Sequence, residues 1–312
     1  MTDHASRDEP EVAAALEHFA AVDVPARSIY PYSPVFPATV AGHRVVVKRA
    51  RRSVPHAIAA WTHELAADRF PCVTPVVLDR ANPVRLASGS AWVAYPWIQG
   101  RRYRPTVDDI AAAGDLLGRL HARPATAAGL PGFPWPEYST EELAGDLASY
   151  VSAARAHLPQ PETAIDRLND LGTRFAPELL PAVRSAAVPI AATTSDWKAS
   201  NLVYAPDGPV LIDPDNADRG PRILDLALAA LLFHSETDFS RAFDAVEWTV
   251  FRDAYLAHVT PTDAERALWP AALDYQLWEE VGWALGDDDW TDPLRPAFFA
   301  DVLTVDAARF PL

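Results

Sequence analysis

The stretch from residue 188 to residue 227 most constrains how this chain can fold, because short apolar runs alternate there with polar residues at fixed spacing. Apolar residues at 202–204 and at 210–212 flank a segment at 205–208 that consists largely of turn-forming residues. Two apolar runs joined in this way predict a β-hairpin. The hairpin should hold the residue before its first strand and the residue after its second strand at neighbouring positions.

The side chains at the two ends of this hairpin are of the kinds that phosphoryl transfer requires. Asp196, Lys198 and Asn201 form a D-x-K-x-x-N pattern before the hairpin, and Asp213 follows its second strand. A carboxylate such as Asp196 takes the proton of an acceptor hydroxyl, and a lysine such as Lys198 offsets phosphate charge. Amide and carboxylate oxygens bind Mg²⁺, which suits Asn201 and Asp213. The pattern therefore predicts a phosphotransferase that uses Mg²⁺ and a nucleoside triphosphate.

This stretch resembles the catalytic segment of the kinase-like phosphotransferases, and among them that of the aminoglycoside phosphotransferase family. The family pattern is H-G-D-x-x-x-x-N, then a hairpin, then I-D. The chain matches both aspartates and the asparagine, but Thr194 and Ser195 stand where the family has histidine and glycine. Asp225 lies in an L-D-L-A segment similar to the family's Y-D-L-A. The resemblance implies that Asp225 is a structural anchor for the catalytic loop.

The resemblance also implies the fold and the domain organisation. The expected class is α+β, a protein-kinase-like two-lobe fold. Its small N-terminal lobe would contain an antiparallel sheet, and its larger C-terminal lobe would be mostly helical. We expect residues 1–100 to form the nucleotide-binding lobe and residues 101–312 the catalytic and substrate-binding lobe. The boundary falls at Gly100, after an apolar segment similar to the family's hinge.

Lysine usage supports the same interpretation. Of the 27 basic residues only Lys48 and Lys198 are lysine, so each retained lysine suggests a need for a compact ammonium group. Lys48 follows three valines, which resembles the V-A-I-K pattern of kinases and predicts a contact with the α- and β-phosphates. Glu64, in a predicted helix at 54–69, is the candidate partner of Lys48. An ordinary lysine at a strand end and a solvated helix glutamate are the alternative interpretations.

Three further residues are candidates for nucleotide binding. The segment at 31–37 occupies the place of a phosphate-covering loop but contains no glycine. Ser33 could contact a phosphate there, and a proline-stiffened turn is the alternative. In the predicted strand at 91–97, the resemblance implies that backbone groups contact the adenine edge. Pro96 has no N–H group, so Tyr95 or Trp97 would supply the donor.

Composition narrows the choice of partners and location. The net charge of −15 and the pI of about 4.9 argue against nucleic acid as a partner and favour a cationic small molecule, although acidity also aids solubility. No apolar run reaches membrane-spanning length, and the N-terminal residues do not form a secretory signal. Cys72 is the single cysteine, which excludes a disulfide framework. We therefore expect a cytoplasmic protein with no membrane partner.

Acidic and aromatic residues cluster towards the C-terminal end, where the resembled family holds polyamine substrates. Carboxylates bind ammonium groups and indoles stack on rings. The acidic run at 287–289 belongs to this region. The candidate substrate contacts are Asp215, Asp274, Glu279, Glu280 and Trp278. A solvated acidic loop beside core tryptophans is the alternative, and Asp215 is also an alternative ligand for a second metal ion.

The leading hypothesis is an ATP-dependent (or GTP-dependent) O-phosphotransferase that moves the γ-phosphate to a hydroxyl group of a small molecule. An aminoglycoside, an aminated nucleoside or a related antibiotic fits as the acceptor, in resistance or self-resistance. A metabolic kinase for an amino alcohol, an amino acid or a sugar is the alternative enzyme. A non-catalytic kinase-like scaffold that binds nucleotide is the alternative outside catalysis. The missing glycine loop and the missing histidine favour it, whereas the joint presence of Asp196, Asn201 and Asp213 argues against it.

Overall fold

The computed structural model describes residues 4–50, 54–123, 129–286 and 290–312, and the chain divides into two compact units. The first unit comprises Met1–Arg101, Ala127–Pro131 and Leu202–Ala217, and the second comprises Arg102–Thr126, Gly132–Asn201 and Asp218–Leu312. The segment at 202–217, which contains the hairpin, is thus grouped with the N-terminal part of the chain. The boundary expected at residue 100 assigns it to the C-terminal lobe, and that boundary stays a prediction.

The N-terminal part of the chain is built around an antiparallel sheet. Its elements are α1 (Pro10–His18), β1 (Val35–Val40), β2 (His43–Ala50), α2 (Pro55–Ala67), β3 (Val84–Arg85) and β4 (Ala91–Pro96). The strands lie in the order β1-β2-β4-β3. Helix α1 packs Val12, Leu16 and Phe19 against Phe36 and Trp92 of the sheet. Because alternate strand residues face this core, the neighbouring positions of β2 are directed to the opposite side of the sheet.

Helices follow in the second unit. They are α3 (Val107–His121), α4 (Thr140–His157), α5 (Pro161–Arg174) and α6 (Leu180–Ser185), with a π-helical turn at Phe175–Leu179 between α5 and α6. Ser139 and Glu142 form a capping box at the start of α4. The helical segment at 161–185 is interrupted by the wider π-helical turn.

The stretch from residue 188 to residue 227 contains four short strands. They are β5 (Ile190–Thr193), β6 (Leu202–Ala205), β7 (Gly208–Leu211) and β8 (Asp218–Pro221), with a 3₁₀ turn at Ala199–Asn201 before β6. Strands β6 and β7 form the predicted hairpin, with Leu202 opposite Leu211. Gly208 has a φ of 120°, a conformation that glycine adopts without strain. Strand β5 pairs with β8 in a second antiparallel ladder.

The remaining elements are helical. They are α7 (Arg222–Leu232), α8 (Ala245–Leu256), α9 (Asp263–Gln276), a π-helical turn at Leu277–Gly282, α10 (Trp283–Gly286), α11 (Arg295–Val302) and a 3₁₀ turn at Ala307–Arg309. Helices α3 and α8 approach closely at Gly114, where an added Cβ atom would overlap the carbonyl oxygen of Phe251. Within the described ranges, no helix combines the length and the apolar character that crossing a membrane requires.

Candidate active site

Lys48 on β2 lies in an ion-pair cluster with the two aspartates that follow the hairpin. The Lys48 Nζ atom is 2.7 Å from Asp213 Oδ2 and 3.1 Å from Asp215 Oδ2. The hydroxyl group of Tyr95 donates a hydrogen bond to Asp215 Oδ1 at 2.9 Å. The lysine and the hairpin aspartate that the sequence singled out separately are therefore in direct contact.

Two backbone hydrogen bonds and one apolar contact hold the end of the hairpin, and with it the aspartates, at this position. The Leu211 amide donates to the carbonyl oxygen of Pro71 at 3.0 Å, and the Val73 amide donates to the carbonyl oxygen of Leu211 at 2.9 Å. Ile212 packs against the small cluster that includes Val73 and Tyr95. Because Ile212 is held by these contacts, the residue after it leaves the strand beside Lys48.

The cluster carries two carboxylates and one ammonium group in a buried setting. Burial opposes the charged form of Lys48, but Asp213 and Asp215 outweigh this effect and raise the pKa of the lysine above its ordinary value. Burial raises the pKa of the Asp215 carboxyl, and the Lys48 ammonium acts in the opposite direction. Burial and the Asp215 charge together raise the pKa of Tyr95. Lys48 therefore stays charged, and Tyr95 stays a neutral hydrogen-bond donor.

The two aspartates differ in exposure, which separates their roles. The Asp213 side chain is 35% exposed, whereas that of Asp215 is 3% exposed. Asp215 is enclosed by Lys48 and Tyr95, so it is suited to hold the lysine. Asp213 keeps carboxylate surface for a ligand, which favours it over Asp215 as the metal-binding residue. Asp215 as a substrate contact does not fit this enclosed position.

The predicted ion pair between Glu64 and Lys48 is not formed. Among the described residues, the ion-pair partners of Lys48 are Asp213 and Asp215. Glu64 is exposed, because α2 buries the face that contains Ile58 and Leu65 and Glu64 lies on the opposite side of the helix. The helix predicted at 54–69 is present, but its orientation places its glutamate away from the lysine.

The backbone donors predicted for the adenine edge also need correction. The Trp97 amide donates to the carbonyl oxygen of Arg44 at 3.0 Å, so it is already engaged. Amides at alternate strand positions face the same neighbour, so the Tyr95 amide is directed towards β2 as well. The next amide on the opposite side is that of Ile98, and no hydrogen bond from it to another described residue is assigned. Ile98 therefore fits the donor role better than Tyr95 or Trp97.

Ser33 lies in a compact hydrogen-bonded turn before β1. The Ser28 hydroxyl donates to the carbonyl oxygens of Tyr30 and Ser33, at 2.7 and 3.1 Å, and accepts a hydrogen bond from the Val35 amide. Ser33 is itself buried. The segment thus agrees with the alternative interpretation, a proline-stiffened turn. A contact between Ser33 and phosphate stays a prediction.

In the second unit, the loop after β5 orients both oxygens of Asp196. The Lys198 Nζ atom is 3.0 Å from Asp196 Oδ1, and Asn201 Nδ2 donates to Asp196 Oδ2 at 3.0 Å. The same nitrogen donates to the backbone oxygen of Asp196 at 2.8 Å. Because its nitrogen is engaged with Asp196, the amide oxygen of Asn201 is directed away from this carboxylate. That oxygen is the atom of Asn201 suited to a metal ion.

A buried network holds the start of this loop. The Thr194 amide donates to Asp225 Oδ2 at 2.9 Å, and the Thr194 hydroxyl donates to Asp225 Oδ1 at 3.2 Å. The His121 Nε2 atom is 3.1 Å from Asp225 Oδ2, and His121 Nδ1 is 3.1 Å from the hydroxyl oxygen of Tyr255. These contacts are those of a structural anchor, the role that the resemblance implied for Asp225. Thr194 supplies a hydroxyl where the family has an imidazole.

Ser195 occupies a backbone conformation that explains the glycine of the family pattern. Its φ is 51°, in the left-handed region that glycine favours. The Ser195 hydroxyl donates to Asp218 Oδ2 at 3.0 Å, and the Thr193 hydroxyl donates to Asp218 Oδ1 at 2.6 Å. Asp218 is fully buried on β8. Sequence analysis missed Asp218, because an aspartate after a hairpin looks like a surface residue until the pairing of β5 with β8 is known.

Two predicted substrate contacts are engaged in the structure of the second unit itself. Asp274 forms ion pairs with Arg167 and Arg174, so its charge is already balanced. Trp278 is fully buried and packs edge-on against Tyr150. The burial of Trp278 contradicts the prediction that it stacks on a substrate ring, whereas a contact between Asp274 and a substrate ammonium group stays a prediction. For Trp278 the alternative interpretation, a core tryptophan, is correct.

Glu279 fits a substrate contact better than the other C-terminal acids. The Tyr138 hydroxyl donates to Glu279 Oε1 at 3.0 Å, and no ion pair joins Glu279 to a cation of the described residues. Burial raises the pKa of Glu279 to about 7, the hydrogen bond from Tyr138 opposes this rise, and the Glu280 charge adds to it. Glu280 is exposed, and residues 287–289 lie outside the described ranges. Sequence analysis missed Tyr138, which lies in the proline-rich segment before α4.

The raised pKa of Glu279 has a measurable consequence for stability. Its carboxyl binds its proton more tightly in the folded protein, so the folded state loses stability as the pH rises from about 4.5 to about 7. We expect Glu279→Gln to exceed the wild type in free energy of unfolding by about 1–3 kcal/mol above pH 7. Denaturant unfolding from pH 5 to pH 8 measures the difference, and a difference that does not vary with pH would contradict the assignment.

The comparisons with known proteins place this geometry in context. The family model described as the phosphotransferase enzyme family matches residues 33–269, which is most of the chain. Stress response kinase A of Salmonella typhi is 25% identical over 247 residues, an alignment that covers 73% of this chain and 70% of that protein. Both matches include the hairpin region and agree with the resemblance found in the sequence.

Solved structures similar to this chain share its fold. A complex of the amicoumacin kinase hAmiN with AMP-PNP, Ca²⁺ and Ami has a TM-score of 0.64 at 17% identity, and the alignment covers 95% of this chain and 92% of that one. A microcompartment-associated aminopropanol kinase has a TM-score of 0.57 at 16% identity, with 95% of each chain covered. These likenesses confirm the predicted α+β, kinase-like fold.

Proposed function

Because the chain belongs to the phosphotransferase enzyme family, we propose that it transfers the γ-phosphoryl group of ATP to a hydroxyl group of a small molecule that also carries an amino group. The contact between Lys48 and Asp213 carries this proposal. It joins an ammonium group suited to nucleotide phosphates and a partly exposed carboxylate suited to a metal ion, although the two residues are far apart in sequence.

In the proposed reaction the oxygen of the acceptor hydroxyl forms a bond to the γ-phosphorus. The bond between that phosphorus and the β–γ bridging oxygen breaks, and ADP leaves with the electron pair. Asp196 takes the proton of the hydroxyl group, and Lys198 offsets the charge of the transferring phosphoryl group. The fixed orientation of both Asp196 oxygens supports the role of this residue as the base.

The residues assigned to Mg²⁺ fit that ion in chemistry. Asn201 offers an amide oxygen, and Asp213 offers a partly exposed carboxylate. Among the described residues, no three His, Cys, Asp or Glu side chains gather as a preformed metal site. Mg²⁺ ordinarily binds one or two protein oxygens and completes its shell with phosphates and water. When bound, Mg²⁺ would offset the charge of the β- and γ-phosphates.

For the nucleotide itself, we assign Lys48 to the phosphates and the backbone at 96–98 to the adenine edge. The carbonyl group of Pro96 and the amide group of Ile98 would supply one acceptor and one donor. Because these contacts involve backbone groups, they leave the choice between ATP and GTP open, and the two nucleotides are to be compared directly. The use of such a nucleotide is consistent with a cytoplasmic place of action.

The acceptor class follows from the charge of the protein. Glu279 is a partly buried carboxylate whose assigned hydrogen-bond donor, among the residues that the structure describes, is the neutral Tyr138 hydroxyl, so an ammonium group would restore its ionised form. The net charge of −15 favours the approach of cations over a long range. An aminoglycoside, an aminated nucleoside or a related antibiotic fits, in resistance or self-resistance. An amino alcohol is the second candidate, because it carries the same two functional groups in a smaller molecule.

An acceptor panel tests this proposal. The panel contains aminoglycosides, aminated nucleosides, amino alcohols, their analogues without the amino group, and casein as a protein acceptor, each with ATP or GTP. We expect phosphorylated product, identified by mass spectrometry, with kcat/KM at least about tenfold higher for an amine than for its matched analogue. Preference for a neutral sugar or for casein would contradict the acceptor class. Nucleotide binding with no product from any acceptor would identify a scaffold.

A further inference from the structure

The segment that follows α7 contacts the catalytic loop at two points. The carbonyl oxygen of Phe233 accepts a hydrogen bond from the Ala199 amide at 2.8 Å. Three residues further on, Glu236 Oε1 lies 3.3 Å from the Lys198 Nζ atom. One contact holds the backbone next to Lys198 and the other holds its ammonium group. The segment at 233–236 is therefore in a position to control where this lysine points.

The backbone of Glu236 is in a conformation that its residue type disfavours. Its φ is 62°, in the left-handed region, where a Cβ atom meets the following carbonyl group. The preceding residue pair is buried, and the Tyr103 hydroxyl lies 2.7 Å from His234 Nε2. The Thr237 hydroxyl donates to the carbonyl oxygen of His234 at 2.7 Å. Because the chain is held on both sides, the direction of the Glu236 side chain is set by the surrounding structure.

The second carboxylate changes what Lys198 can do. If Asp196 were the single carboxylate next to Lys198, the flexible lysine would fold onto it, although Asp196 must accept the proton of the acceptor. In the structure the ammonium group lies between Asp196 Oδ1 and Glu236 Oε1, at 3.0 and 3.3 Å. Asp196 is itself held by Asn201. Glu236 therefore provides a second ion-pair partner, which holds the Lys198 ammonium group next to the proposed base, Asp196.

We propose that Glu236 is a positioning residue for phosphoryl transfer, which holds the Lys198 ammonium group beside Asp196 where it meets the transferring phosphoryl group. The inference rests on the proposed function, because it assigns Lys198 its place in that reaction. Glu236 itself touches neither substrate nor metal in this assignment. Its effect reaches the reaction through Lys198 alone.

Glu236→Gln tests the proposal, because glutamine keeps the shape of the side chain and removes its charge. We expect kcat to fall about tenfold while KM for nucleotide and for acceptor stays within about twofold, since an interaction made only in the transition state lowers kcat without raising KM. Glu236→Asp retains the charge and should recover at least about one third of the lost kcat. A kcat for Glu236→Gln within about twofold of wild type would overturn the proposal.

Asp238→Asn is the matched control. Asp238 lies two residues away, is exposed, and forms no ion pair with a described residue. Its substitution removes the same charge, so we expect kcat to stay within about twofold of wild type. An equal loss in Asp238→Asn and Glu236→Gln would show that general charge is responsible, which contradicts positioning.

A double substitution decides whether Glu236 acts through the lysine. In a Lys198→Met background, Glu236→Gln should change kcat by less than about twofold, because the group that it positions is gone. A full and additive loss in this background would place the effect of Glu236 elsewhere and would overturn the proposal. The melting temperature of each variant shows whether a loss arises from folding.

Lysine labelling provides a measurement that does not depend on activity. The chain contains only two lysines, so reductive methylation and peptide mass spectrometry resolve Lys198 from Lys48. In Glu236→Gln the released Lys198 amine should react at least about threefold faster than in wild type, with Lys48 as the internal reference. If Lys198 is labelled faster in Glu236→Gln but the wild type transfers phosphate to no acceptor, the proposed function is refuted. The positioning of Lys198 by Glu236 would still stand. Unchanged labelling would refute the positioning.

Discussion

Replacing Asp196 by asparagine is expected to lower kcat for phosphoryl transfer by about 10³-fold, because a positioned general base contributes about 10²–10⁴-fold. Asparagine has nearly the same shape and can still accept a hydrogen bond from Asn201, so the loop should keep its geometry. The amide cannot take the proton of the acceptor hydroxyl, and it no longer attracts Lys198. We therefore expect the loss in kcat, while KM for the nucleotide stays within about threefold of wild type.

Steady-state kinetics on the wild type, Asp196→Asn and Asp207→Asn make this comparison. Asp207 is an exposed aspartate in the hairpin turn, so its substitution removes the same charge without touching the catalytic loop. The control should retain wild-type kcat. A residual kcat above about one tenth of wild type in Asp196→Asn would exclude this residue as the base.

The second large effect separates the two aspartates that contact Lys48. Asp213→Asn should lower kcat by about 10²-fold or more, because it removes a charged oxygen from the proposed metal site. Its free energy of unfolding should change by less than about 1 kcal/mol, since the side chain is 35% exposed and Lys48 keeps its pair with Asp215. Loss of activity without loss of stability is the expected pattern.

Asp215→Ala should show the opposite pattern. Its carboxylate is buried between Lys48 and Tyr95, so its removal leaves two buried polar groups poorly paired, at a cost of about 3 kcal/mol in free energy of unfolding. Well below the melting temperature, kcat should fall less than in Asp213→Asn. Denaturant unfolding and kcat measured on both variants test the pair. An Asp215→Ala variant as inactive as Asp213→Asn would contradict the assignment of the metal to Asp213.

Local features of the active site could be predicted from sequence because they depend on short stretches of chain. The D-x-K-x-x-N pattern and the hairpin lie within one continuous segment, and the register of that hairpin follows from its turn residues. The two lysines stood out because arginine is the default base of this chain. The structure places Asp213 next to Lys48 and Asp196 next to Lys198.

The predictions of side-chain contacts were wrong where the contact depends on how a helix is oriented. Glu64 was assigned to Lys48, yet the buried face of α2 directs it to solvent. Trp278 was predicted to stack on a substrate ring, yet it is fully buried and packs against Tyr150. The residues that were overlooked, Tyr138 and Asp218, obtain their meaning from contacts with chain segments far away in sequence.

By itself, the sequence determined the family, the alternation of strands and helices, and the residue types at the catalytic loop, because these depend on local pattern and on side-chain chemistry. Only the tertiary structure decided which carboxylates face Lys48 and Lys198, which aspartate is enclosed, and which acids are already paired. Pairing between distant groups is set by long-range packing and hydrogen bonding. Ile212 shows this, because its packing against Val73 and Tyr95 places the next residue, Asp213, beside Lys48. No local pattern contains that information.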